Sequence, residues 1–154
     1  MNQEPEPGQS VWVILVTEGT VIDYPPEVYE SWSRAWREAE RWAWILSGGG
    51  WAQVERPSQE RWEIGDREVR LVQVPRPVER SEDLWVGTYW TRDGYPDPEA
   101  ELFANEAEAR GWAIEPVGDV EPSSTDETPW FIAATFEVRG EEEYAVAHLA
   151  KRCG

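Results

Sequence analysis

An α+β fold is expected for this chain, an antiparallel sheet or sheets with two or three helices packed on a face, and three observations predict it. Short apolar runs bounded by turn signals alternate with helical stripes. Long crossovers of the kind that join parallel strands are missing, so neighbouring strands should meet through hairpins. The halves also echo each other: Trp12 and Trp85 each open a strand, Tyr24-Pro25 matches Tyr95-Pro96, and Ala39 with Trp42-Ala43 matches Ala109 with Trp112-Ala113. The offset drifts from 73 residues (12 to 85) to 70 (39 to 109). Small loop deletions would produce that drift in two pseudo-repeated hairpin–helix halves.

In chain order, residues 1–9 form an expected disordered lead, 10–75 an N-terminal α+β half, 76–83 a linker and 84–154 an acidic C-terminal α+β half. Val11–Thr17 (VWVILVT) is apolar on both faces, as a central strand covered on two sides would be. A helix follows over about Ser31 to Leu46, its stripe given by Trp32, Ala35, Trp36, Ala39, Ala43 and Leu46, and three glycines from Gly48 end it. Trp51–Val54 and Arg61–Ile64 read as short strands, and Gly65-Asp66 as the two-residue turn into Arg67–Val74. Two prolines and a mix of charges break periodicity after Val74.

The second half restarts with Leu84–Thr91 and turns at Arg92-Asp93-Gly94. A helix is expected from Asn105, which has capping-box spacing to Glu108, with its end at Gly111 and a further strand over Trp112–Glu115. Gly118–Thr128 reads as a loop. The last strand is expected to put Trp130, Ile132, Ala134, Phe136 and Val138 on one face, before a final helix over Glu141 to about Lys151.

Composition limits what the chain can do. It is 40% apolar with 11 Trp, so it can bury a core and whole-chain disorder is excluded. A formal charge of −17 repels nucleic acid and anionic membrane and attracts basic proteins. The charge is lopsided: Glu82 to Glu143 holds 17 acidic residues against three Arg, whereas residues 51–80 balance at six and six. No leader and no apolar run of membrane-spanning length is read, which gives an expectation of a cytoplasmic protein. The single cysteine, Cys153, excludes an internal disulfide.

No catalytic or metal signature is present: no nucleophile elbow, phosphate loop or paired-histidine zinc motif. His148 is the only histidine, and beside Cys153 it reads as structural. No cofactor is expected. Asp119, Glu121, Asp126 and Glu127 lack the calcium-loop pattern and its central glycine. Most tryptophans suit the core, while Trp51, Trp62 and Trp90 are less clearly inward. Glu106, Glu108 and Glu141–Glu143 fall in expected first helical turns, where negative charge suits the helix dipole.

The remaining acids carry the functional expectation. Asp93, Asp97, Glu99, Glu101, Glu115, Asp119 and Glu121, with Trp90 and Trp62 as aromatic contacts, are the expected partner-binding residues. A basic groove that accepts closely spaced phosphates also accepts a fixed array of carboxylates. The expectation is a non-catalytic inhibitor of a basic nucleic-acid-handling protein, such as a nuclease, a CRISPR effector or a restriction enzyme, acting by nucleic-acid mimicry or site occlusion as a monomer or homodimer. In its small, acidic, cysteine-poor composition alone the chain resembles phage-encoded defence inhibitors and toxin-neutralising immunity proteins, and an anti-defence role for a phage or mobile element is the expectation. The rival readings are a self-associating structural protein, a small acid–base enzyme, and acid that serves only solubility.

Overall fold

The computed structural model describes residues 10–19, 21–22, 24–76, 83–91 and 99–152. The expected lead at 1–9, most of the expected linker, Asp93, Asp97 and Cys153 lie outside them. The chain divides into two compact units, one holding the chain to Arg76 and again from Lys151 onward, the other running from Pro77 to Ala150.

In the first unit, β1 (Ser10–Glu18), β2 (Val21–Ile22) and β3 (Glu27–Tyr29) lead into α1 (Trp32–Leu46). A 3-10 turn (Trp51–Gln53) then precedes β4 (Glu55–Ser58), β5 (Arg61–Ile64) and β6 (Arg67–Pro75). The sheet order is β4-β5-β6-β1-β3, antiparallel throughout, with β2 against the end of β1. Lys151 and Arg152 add a short parallel pairing to β3. As the unbroken apolar run predicts, β1 is buried on both faces, through Val11, Val13 and Leu15 on one and Ile14 and Val16 on the other.

Helix α1 starts where Ser31, in extended backbone, accepts a hydrogen bond from the Arg34 N–H. It stops at Gly48 and Gly49, whose φ of 69° and 87° favour glycine. Ala35, Ala39 and Ala43 are fully buried, so the helix sits close on the sheet, and Trp36, Trp42 and Leu46 wrap the contact with Ile14, Val16, Trp62, Val69 and Leu71. Trp32, expected on this stripe, instead lies exposed at the helix start, stacked on Trp36. It precedes the first full turn, where the stripe has not yet reached the sheet.

The second unit comprises β7 (Leu84–Thr91), β8 (Glu99–Phe103), α2 (Glu106–Ala113), β9 (Ser124–Thr128), β10 (Phe131–Val138) and β11 (Glu141–Arg152), the last leaving the unit after Ala150. Its order is β9-β10-β11-β7-β8, again antiparallel. This is the order of the first unit with β7, β8, α2, β9, β10 and β11 in place of β1, β3, α1, β4, β5 and β6. Trp12 and Trp85 pack on the helix-side cores of their units, and Ala109 and Ala113 of α2 are fully buried like Ala39 and Ala43 of α1.

Five expectations are corrected. Glu141–Lys151 is not a helix but belongs to β11. That strand is central, paired to β10 and β7 at once, and two ladders outweigh the helix propensity of its Glu, Ala and Leu residues. The turn feeding it is Arg139-Gly140, with φ of 52° and 79°, a two-residue hairpin of the primed type. Within Gly118–Thr128, expected to be loop, Ser124–Thr128 forms the edge strand β9. Trp51–Gln53 is a 3-10 turn and not a strand. Helix α2 runs through Gly111 to Ala113, so no strand covers Trp112–Glu115. Trp130 lies in the Pro129-Trp130 turn, exposed, leaving Ile132, Ala134 and Phe136 as the buried row of β10.

His148 shows what burial in β11 does to a titratable group. It is 8% exposed, stacks on its cross-strand neighbour Phe131, and places Nδ1 2.7 Å from the Leu149 carbonyl. Burial pushes its pKa below 6.5, against a smaller opposing effect of the Leu149 hydrogen bond. The unfolded chain therefore binds this proton more readily than the folded one, so the contribution is complete above pH 6.5 and is lost as pH falls towards the lowered folded value. Chemical denaturation between about pH 7 and 5 is expected to show stability falling with acid, and His148→Gln is expected to flatten that decline. An equally steep decline in the variant would assign the acid sensitivity to other groups.

Candidate functional site

The two units treat their charges differently. In the first, acids find arginines: Arg61 bonds Glu63 and Glu68 at 3.1 Å, Arg70 bonds Glu68 at 2.5 Å, and Arg67 with Glu18 and Arg76 with Glu30 also pair. In the second, the ion pairs among described residues converge on one cation, Arg110, which holds Glu106 at 2.8 Å and Glu127 at 3.1 Å. Arg110 also donates to the Thr128 carbonyl at 2.7 Å and lies 5.3 Å from the Trp85 ring centroid, so it ties α2 to β9. Its role is structural.

The other acids of this unit are distributed by its register. Glu137 of β10 stands directly opposite Glu142 of β11, a like-charge cross-strand pair that costs stability. Glu141 follows at the same hairpin end, and both Glu141 and Glu142 are exposed. The Val117–Val120 turn packs through its two valines on the Ala134, Phe136 and Ala145 cluster of β10 and β11, against which Val138 also packs, and it carries the exposed Asp119 and Glu121. Arg139, at the hairpin tip, makes no ion pair with any described residue.

A second group of acids surrounds Trp112. Asn105 caps α2 by accepting from the Glu108 N–H at 2.8 Å, which fixes the helix start. Glu108 and Trp112 then share one face four residues apart, and Glu115 follows just past the C-cap Ile114. Glu101 sits in β8 opposite Gly87, the residue over which the Trp112 ring lies. An open hollow of about 670 Å³ runs along this side of α2 between Phe103, Gly111, Trp112 and Ile114. A smaller one of about 130 Å³ continues past Trp112, Glu115 and Pro116 to Tyr89 and Phe136. There the Tyr89 hydroxyl donates to Glu143 at 2.5 Å. Burial first, then the Glu143 hydrogen bond and charge, push the Tyr89 pKa far up, so its hydroxyl remains a donor.

Among the expected contact residues, Glu101, Glu115, Asp119 and Glu121 are exposed and Glu99 lies in β8 opposite Tyr89. The aromatic expectations are corrected. Trp62 is fully buried in the first unit's core, and Trp90 is 5% exposed with its indole N–H on Thr88 Oγ1. Alternation along β5 turns Trp62 towards α1, and Trp90 is buried on the face of β7 opposite that of Gly87. Among the described residues the exposed aromatics are Tyr24, Trp32, Trp130 and the pair Trp44 and Trp51, whose rings lie 5.2 Å apart.

Sequence reasoning missed Glu108, Glu137, Glu141, Glu142 and Trp112. The helix-dipole account given for Glu141–Glu143 fails because they lie in a strand. The Arg139-Gly140 hairpin was the signal that would have placed them. Among the described residues no group of His, Cys, Asp and Glu is arranged to hold a metal ion, and no helix is long and apolar enough to cross a membrane. No protein-family model, curated protein or solved structure matches the chain.

Proposed function

We propose that the chain is a non-catalytic binding protein that presents the acids of its second unit to the basic nucleic-acid site of a partner and inhibits it by occupying that site. One observation carries the reading: Glu101, Glu108, Glu115, Asp119, Glu121, Glu137, Glu141 and Glu142 have no ion-pair partner among the described residues, whereas in the first unit Glu18, Glu30, Glu38, Glu63 and Glu68 each pair with an arginine. The opposed Glu137 and Glu142 add to it, since acid retained against a stability cost calls for a use. We also read the shared strand order and matched Trp and Ala positions as the product of duplication. On that view the two copies diverged in charge, one towards internal pairing and the other towards a partner.

The test uses the immobilised full chain and a lysate of its host at low salt. Capture of a nucleic-acid-binding protein that duplex DNA or RNA releases is expected. The triple variant Asp119→Lys, Glu121→Lys, Glu141→Lys should bind that partner about tenfold or more weakly, since tenfold needs only about 1.4 kcal/mol spread over three reversed charges. Unchanged capture by the folded variant would remove the acidic surface from the interaction. Recovery of the chain's own copies alone would favour the second reading, self-association, for which the exposed Trp44–Trp51 pair offers apolar surface.

A further inference from the structure

Resting on the binding role just proposed, we propose that the groove beside α2 is the seat for an arginine side chain of the basic partner, with the guanidinium on Trp112 and its donors directed to Glu108 and Glu115. A guanidinium is the cation best matched to such a place. It stacks on an indole face through cation–π attraction, and its planar fork donates to carboxylates in pairs, whereas an ammonium keeps its hydration and offers a point charge.

The groove supplies each requirement. Trp112 is partly exposed and tilted against Phe103 at 5.6 Å between ring centroids, so the two form an aromatic wall. Ile114, 44% exposed, gives apolar surface along which an arginine stem can lie. Glu108 and Glu115 line the same hollow, are exposed, and have no basic partner among the described residues. Glu101 stands on the adjoining strand. Gly111 leaves the lip open: a Cβ built there would meet nothing within 4 Å. An apolar groove bordered by carboxylates, in a unit with this charge, excludes anionic occupants and favours cationic ones.

Gly111 also provides the test, because filling the groove from this position alters neither charge nor core. Gly111→Leu replaces a poor helix former with a good one in the last turn of α2, so thermal stability should hold or rise. Blocked octa-arginine and octa-lysine peptides serve as probes, titrated calorimetrically into the full chain at low salt. The wild-type chain should bind octa-arginine more tightly than octa-lysine, and Gly111→Leu should weaken octa-arginine binding about tenfold while leaving octa-lysine little changed. Glu115→Gln should lower octa-arginine affinity in the same direction. If both peptides bind equally well and Gly111→Leu changes neither, the groove is not the seat, though the acidic surface still attracts cations. If neither peptide binds the wild-type chain at low salt, the acidic-surface reading fails and the groove with it.

Discussion

Trp62→Ala is expected to cost about 3–5 kcal/mol, the range for truncating a buried aromatic, whereas Trp62→Phe should cost within about 1 kcal/mol of nothing. The indole is fully buried beneath α1, between the Trp36 ring, 5.9 Å away, and Val69 and Leu71 of β6. The Arg56 guanidinium lies over it at 4.2 Å from the ring centroid, held there by the carbonyls of Gln59 and Arg61. Alanine removes the surface on which both the helix and this arginine rest. Phenylalanine keeps an aromatic face under Arg56 and gives up part of the volume, and it also deletes the Trp62 Nε1–H, which is buried without an acceptor. An orphaned buried donor carries a desolvation cost of about 1–3 kcal/mol, which its removal returns. Urea denaturation of the two variants beside the wild type decides this. If Phe proved as costly as Ala, the indole N–H would have to be contributing a favourable contact.

How much of this could be read from the sequence depended on whether local pattern or long-range pairing decides an element. The strands β1, β5, β6 and β7 and the Gly65-Asp66 turn are legible because short apolar runs and turn chemistry point the same way. Helix α1 is legible from its alanine stripe. The segment from Glu141 misleads because Glu, Ala and Leu are good helix formers and because Ala145 to His148 are buried on both faces of the strand, which erases the period-two signal. Once those residues are placed in a helix, Glu137 and Glu142 cannot be seen to face each other, and the acidic hairpin end disappears. The same limit applies to the groove. Glu108, Trp112 and Glu115 are visible as a helical spacing, but Gly87, Phe103 and Glu101 come to them only through the pairing of β7 with β8. An excess of acid is a property of composition; its convergence is a property of register.

Gly87→Ala is expected to destabilise the chain by about 1–3 kcal/mol, the usual cost of overpacking, although alanine ordinarily strengthens a strand. Gly87 lies in the middle of β7, between Glu101 of β8 and Ala147 of β11, on the face covered by α2. A Cβ there would stand 2.8 Å from both the Phe103 and the Trp112 ring carbons, closer than carbon atoms pack. Neither ring has a cheap escape. Phe103 and Trp112 lean on each other, and Trp112 is anchored in a helix whose Ala109 and Ala113 already touch the sheet. Relief must come from tilting Trp112 outward or lifting the end of α2. This couples stability to the proposed recognition site, because either movement reshapes the aromatic wall of the groove while leaving every carboxylate in the chain. Thermal melting should show the loss as roughly 2–4 °C for each kcal/mol in a chain of this size. Octa-arginine should lose affinity at a temperature where the variant is still folded, and octa-lysine should not. A variant as stable as the wild type would mean that the ring contacts yield without cost, and the requirement for glycine at this position would then have to be sought elsewhere than beneath Trp112.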